Sequence, residues 1–165
     1  MLINAKPGDI ILDRSKEEWI VLENNPKSIK NSIVLLKHRP LQYKNKFSLT
    51  NNDWTGEDSI IRRYLNSNFY ENIKHSFEYG IKEHITQYSS NESCKDFVGL
   101  LNVAQFLKYS EFIPEDRYSY WLCEKTEHDG VSVYFINSDG MLDYTVCNKK
   151  KEELDRILYW IIHVQ

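Results

Sequence analysis

The chain has 165 residues, 41% hydrophobic and 13% aromatic, with a formal net charge of −3. That length suits one domain, and that apolar content excludes an intrinsically disordered chain. The small negative charge gives no overall pull toward nucleic acid or anionic membranes, and the longest apolar run, residues 157–162, is too short to span a bilayer.

Residues 1–9 contain no apolar stretch of signal-peptide length, so the expected location is the cytoplasm. Pro7-Gly8 turns the chain into a short strand over residues 9–12. Residues 18–23 alternate, with Trp19 and Val21 on one face and Ile20 and Leu22 on the other. After the polar loop Asn24-Asn25-Pro26-Lys27-Ser28, the run Ile33-Val34-Leu35-Leu36 predicts a strand buried on both faces. Residues 1–37 are thus expected to form a three-stranded meander.

Residues 38–53 make a long connection of the kind that often carries function. Here cations alternate with aromatics, and Arg39, Tyr43, Lys44 and Phe47 are candidate binding residues. The acidic total makes a nucleic-acid surface the weaker reading of this stretch and a loop laid over the sheet the stronger one.

Residues 54–88 are expected to be the central helical block. The turn Asn51-Asn52-Asp53 precedes it, and Asp58 and Ser59 are alternative caps. Ile61, Tyr64, Leu65 and Phe69 share one face, and Ile73, Phe77, Ile81 and Ile85 continue at four-residue steps. Asn66-Ser67-Asn68 is expected to divide this run into two short helices, and Gly80 to weaken or end the second. Ile61, Leu65, Phe69, Ile73 and Phe77 are expected in the core. Arg62 and Arg63 lie about 100° apart on a helix, so one should tie it to a loop or carboxylate while the other is solvated. Asn66 is expected to cap or turn the chain.

Beyond a loop at residues 89–93, residues 96–101 make a short apolar strand or turn. Asn102 caps a short helix whose face holds Val103, Phe106 and Leu107. In the last third, residues 117–165, Tyr118, Tyr120 and Leu122 alternate with Trp121 and Cys123. Asn137-Ser138-Asp139-Gly140 is a hairpin turn between two strands, and residues 157–164 read as a central closing strand. Strands, then helices, then strands predict a single α+β domain with a mainly antiparallel twisted sheet and a central block of short helices.

Several stretches together resemble the bacterial domain-of-unknown-function family 6273, whose members are similar to the C-type-lectin-like and sulfatase-modifying-factor type of fold. The likeness rests on Gly8-Asp9-Ile10-Ile11 with Trp19-Ile20-Val21-Leu22, and on Trp54 followed by Ser59, Arg62, Leu65-Asn66 and Phe69-Tyr70. Asp96-Phe97-Val98-Gly99-Leu100-Leu101, Tyr120-Trp121-Leu122 and Gly140 extend it. The resemblance implies a C-type-lectin-like scaffold in which Trp54, Ser59, Arg62, Leu65, Asn66, Phe69, Tyr70 and Trp121 are structural. The family's closing Arg-Pro pair is missing from residues 157–164. The family brings no known reaction.

Local motifs for chemistry are absent from the sequence. Cys94, Cys123 and Cys147 are odd in number and widely spaced, which suits reduced, buried thiols. The histidines, His38, His75, His84, His128 and His163, show no metal spacing. Adjacent acid pairs such as Glu57-Asp58 and Glu152-Glu153 point apart on any regular element. Glu92 and Asp96 stand without the Glu-Pro-Asn or Trp-Asn-Asp signatures of sugar-binding lectins. No metal, cofactor or catalytic residue is therefore expected.

Two functions remain in view. The first is a protein-binding module, using aromatic-rich loops around Tyr43, Phe47, Tyr118 and Tyr120. A short acidic chain of this kind would suit a phage or prophage accessory factor that binds a host protein. The second is an enzyme of unknown reaction on a scaffold like that of the formylglycine-generating enzymes, which would require a thiol beside a base or a metal.

Overall fold

The computed structural model describes residues 4–27, 29–43, 46–115, 118–148, 156–158 and 160–164. The strands are β1 (Ile10–Leu12), β2 (Glu18–Asn24), β3 (Ile33–Lys37), β4 (Leu41–Tyr43), β5 (Ile81–Lys82), β6 (His84–Gln87) and β7 (Ser93–Asp96). They continue as β8 (Gly99–Leu100), β9 (Ser119–Lys125), β10 (Ser132–Ile136), β11 (Leu142–Val146), β12 (Arg156–Leu158) and β13 (Trp160–Val164). The α-helices are α1 (Ile60–Tyr64), α2 (Tyr70–Ile73) and α3 (Val103–Tyr109).

The N-terminal meander forms as its alternation predicts, with β1, β2 and β3 paired antiparallel. Asp13 shapes its first turn, accepting from the Ser15 and Glu17 N–H groups and from Trp19 Nε1 at 3.2 Å. The sheet runs on from β3 to β13 and β5, with β8 also paired to β13. A second sheet has the order β11-β10-β9-β12-β4, in which β12 and β9 form a parallel pair. The hairpin β6–β7 stands apart. The fold is thus α+β with mainly antiparallel pairing. Among the described residues no helix is long and apolar enough to cross a membrane.

Period-two alternation sorts the side chains into two cores. Trp19, Val21, Ile33, Leu35, Trp121, Cys123 and Phe135 fall in the first core, while Ile20, Leu22, Val34, Leu36, Tyr120, Leu122 and Ile136 fall in the second. All five residues of β3 are buried, as a strand covered on both faces must be.

Several expectations are corrected. The closing stretch is not one strand: Arg156–Leu158 joins the second sheet and Trp160–Val164 the first. The helical block also ends early, at Ile73, and residues 81–87 form β5 and β6, leaving Ile85 55% exposed. A four-residue spacing is a multiple of two as well as nearly one helical turn, so Ile81 and Ile85 fit a strand equally well. Gly80, at φ +79°, turns the chain out of the helical region. Asn66-Ser67-Asn68 do not break the first helix; the backbone widens into a π-helical turn at Leu65–Phe69 and continues into α2. Ile61, Leu65 and Phe77 are buried, whereas Phe69 and Ile73 are half-buried at the edge of the first core.

Candidate functional site

The helix starts after Ser59, which holds the N-cap position with extended backbone but makes no capping bond, and whose buried hydroxyl has no partner among the described residues. Asp58 instead accepts from the Thr50 hydroxyl at 2.6 Å. From there the helix aims its polar groups at one segment, residues 96–98. The Asp96 carboxylate is fully buried and accepts from Arg62 Nε at 2.8 Å and Trp54 Nε1 at 2.9 Å, with the Cys94 thiol 3.4 Å away. Asn66 accepts from the Phe97 and Val98 N–H groups at 2.8 and 3.0 Å and donates to the Val98 carbonyl at 2.9 Å. It is a clamp across the fold, not a cap or turn. Tyr70 stacks on Phe97 with ring centroids 4.4 Å apart. Arg62 is the arginine that reaches a carboxylate, and Arg63 is the exposed one.

The Asp96 carboxylate and the Asn66 amide are engaged in holding the helix to the strands. Burial, followed by the Asp96 charge, pushes the Cys94 thiol up to about 12. Cys123 lies well above the ordinary range, and Cys147 is raised too, both first through burial. All three thiols are free and held protonated, so none is an activated nucleophile.

The candidate binding residues are dispersed. Phe47 is fully buried, its ring 5.4 Å from Trp121 and 5.8 Å from Trp54, so it is corrected from surface anchor to core residue. An aromatic flanked by lysines gains more from this aromatic cage than it would in water. Tyr120 is only 5% exposed because α3 covers it, its ring edge-on to Phe106. Arg39 is exposed ahead of β4, which holds Tyr43 at the far edge of the second sheet from β11. Lys44 lies outside the described residues. Tyr118 is 55% exposed just before β9, which lies two strands from β4.

The feature that sequence reasoning missed lies over Tyr120. A groove of about 550 Å³ opens between α3 with its following turn and the β10–β11 hairpin. Phe106, Ile113, Tyr120 and Ile136 form its apolar floor, and Glu115 and Asp139 stand on its rim. Neither carboxylate has an ion-pair partner among the described residues. α3 itself is firmly set: Asn102 and Gln105 form a reciprocal capping box, and Glu124 accepts from the Val103 N–H. The signal available in the sequence was the Asn102 cap together with the Asn137 turn, which place the two walls.

A second unusual feature is internal. His84 on β6 and His163 on β13 are buried and stacked, centroids 4.5 Å apart. Both ring nitrogens of His84, Nδ1 of His163 and the Thr86 hydroxyl have no hydrogen-bond partner among the described residues. Burial lowers His84 to about 4, and burial with the neighbouring ring lowers His163 to about 3, so both are neutral at pH 7. The described residues contain no group of three or more His, Cys, Asp or Glu side chains able to hold a metal ion. No protein-family model, no curated protein and no solved structure matches the chain.

Proposed function

We propose that the protein works by binding another protein, through the groove between α3 and the β10–β11 hairpin together with the exposed Tyr118 that precedes β9. The observation that carries this reading is the pairing of an apolar floor with two carboxylates that have no ion-pair partner among the described residues. Apolar floors anchor a partner's side chain, and a rim of one sign selects its charge. The complementary partner presents an apolar side chain next to a lysine or arginine. The C-type-lectin-like resemblance favours the same reading, because that scaffold displays irregular surface on a small sheet. The size and acidity of the chain suit an accessory factor, phage-borne or prophage-borne, that binds a host protein. The enzyme reading has no comparable support, since the thiol nearest a carboxylate, Cys94, is held protonated.

The test is affinity capture from the cells that produce the protein, followed by binding measurements on variants. Tyr118→Ala should weaken the captured partner by about 2 kcal/mol or more, roughly thirtyfold. Glu115→Lys should weaken it further as ionic strength falls, because the charge on the rim is reversed. Recovery of small metabolites alone, with no protein partner, would revive the enzyme.

A further inference from the structure

A separate surface runs along β11, which is an edge strand among the described residues. Its pairing with β10 is regular over five consecutive residues, with no bulge. The Asn137 N–H donates to the Met141 carbonyl at one end, and the Cys147 N–H to the Val131 carbonyl at the other, both at 2.9 Å. In an antiparallel ladder such residues alternate with ones whose N–H and C=O groups point away. Leu142, Tyr144 and Val146 therefore aim their backbone groups at the free edge. Their side chains share one face and are 42%, 62% and 38% exposed. Natural edge strands are commonly blunted by lysine, proline or a bulge, and β11 has none of these. Among the described residues its guard is Asp143, whose carboxylate accepts from the Tyr144 N–H at 2.8 Å.

The sequence of this strand, Leu142-Asp143-Tyr144-Thr145-Val146, is complementary to itself when reversed. Antiparallel pairing about Tyr144 sets Tyr144 against Tyr144, Leu142 against Val146 and Asp143 against Thr145. Apolar meets apolar, each carboxylate meets a hydroxyl, and no like charges face each other. The outward backbone groups are those this register needs.

We propose that β11 pairs with the β11 of a second copy of this chain about a twofold axis, joining the two β11-containing sheets into one. On association the Tyr144 N–H exchanges the Asp143 carboxylate for a carbonyl of the other copy, and the freed carboxylate meets the facing Thr145. One short strand from each copy covers less surface than a standard stable interface, so the dimer forms reversibly with concentration. This goes beyond the groove reading, and either can fail without the other.

Sedimentation equilibrium of the whole chain over a concentration series provides the test. The average mass should rise from 19.7 kDa toward twice that value. Thr145→Asp places carboxylates opposite one another at two symmetry-related places and should weaken the dimer by about tenfold or more. Adding Asp143→Lys to Thr145→Asp sets opposite charges face to face and should bring association back to about the wild-type level. Melting temperatures of both variants, whose changed side chains are at least partly exposed, confirm that each is folded. A monomer at every concentration overturns the proposal. So does Thr145→Asp associating as wild type, or a folded double variant that stays monomeric.

Discussion

The two sides of the sheets differ in how completely they are finished. On the first side Phe47, Trp54, Leu65 and Trp121 close the core, and Asp96 and Asn66 have their polar atoms partnered. On the second, a seven-residue helix, α3, is the main cover. There the groove and the bare face of β11 lie, with the buried His163 ring, whose Nδ1 has no hydrogen-bond partner among the described residues. A buried charge stabilises only when its bonds are complete, so the first side is committed to holding the fold. Groups left unpaired on the second side are free to meet a partner or a proton.

The largest break of this comparison should come from Asp96→Ala. It strands the buried Trp54 N–H and leaves Arg62 without its carboxylate, for an expected loss of about 4 kcal/mol in urea unfolding. A variant as stable as wild type would mean that the first side is not held through Asp96.

The second test is acid. His84 and His163 ordinarily titrate near 6.5 but are lowered to about 4 and about 3 in the fold, so the unfolded chain binds protons first. Their stabilising contribution is present above pH 6.5 and is lost as pH falls toward 4. The Asp96 and Glu83 charges oppose the burial penalty at His84 only in part. The loss from His84 alone should reach about 3 kcal/mol near pH 4. Urea midpoints at pH 7 and pH 4.5 should separate widely for wild type and less for His163→Leu. An equal separation in the two proteins would place the acid sensitivity elsewhere.

Smaller effects sharpen the contrast. Asn66→Ala removes the bonds to Phe97 and Val98 and should cost about 1–3 kcal/mol. Ser59→Ala should behave unlike an ordinary N-cap loss, because the Ser59 hydroxyl is buried and bonds to nothing among the described residues. Its expected change in unfolding free energy is within about 0.5 kcal/mol. A loss of 1 kcal/mol or more would show a capping bond in solution.

Much of the framework was legible because it is local. Alternation sorted Trp19 and Val21 from Ile20 and Leu22, and Asn102 and Asn137 announced a helix start and a hairpin. What escaped depends on distant partners. Nothing near Phe47 says that Trp54 and Trp121 wait for it, and nothing near Asn66 says that it will grip Phe97. The pattern of Leu142, Tyr144 and Val146 is that of a core strand, yet the fold leaves all three exposed among the described residues. The groove was illegible for the same reason, since Glu115 and Asp139 meet only through the fold.

The central claim is that the Asp96 side holds the fold and the groove side makes the contact. Binding of the captured partner by Tyr118→Ala and by Arg62→Ala, compared at a temperature where both are folded, tests it most directly. The expected result is roughly thirtyfold weaker binding for Tyr118→Ala, with Arg62→Ala less stable but equal to wild type in affinity. Unchanged affinity for Tyr118→Ala together with lost affinity for folded Arg62→Ala would contradict it and move the site to the other side of the sheet.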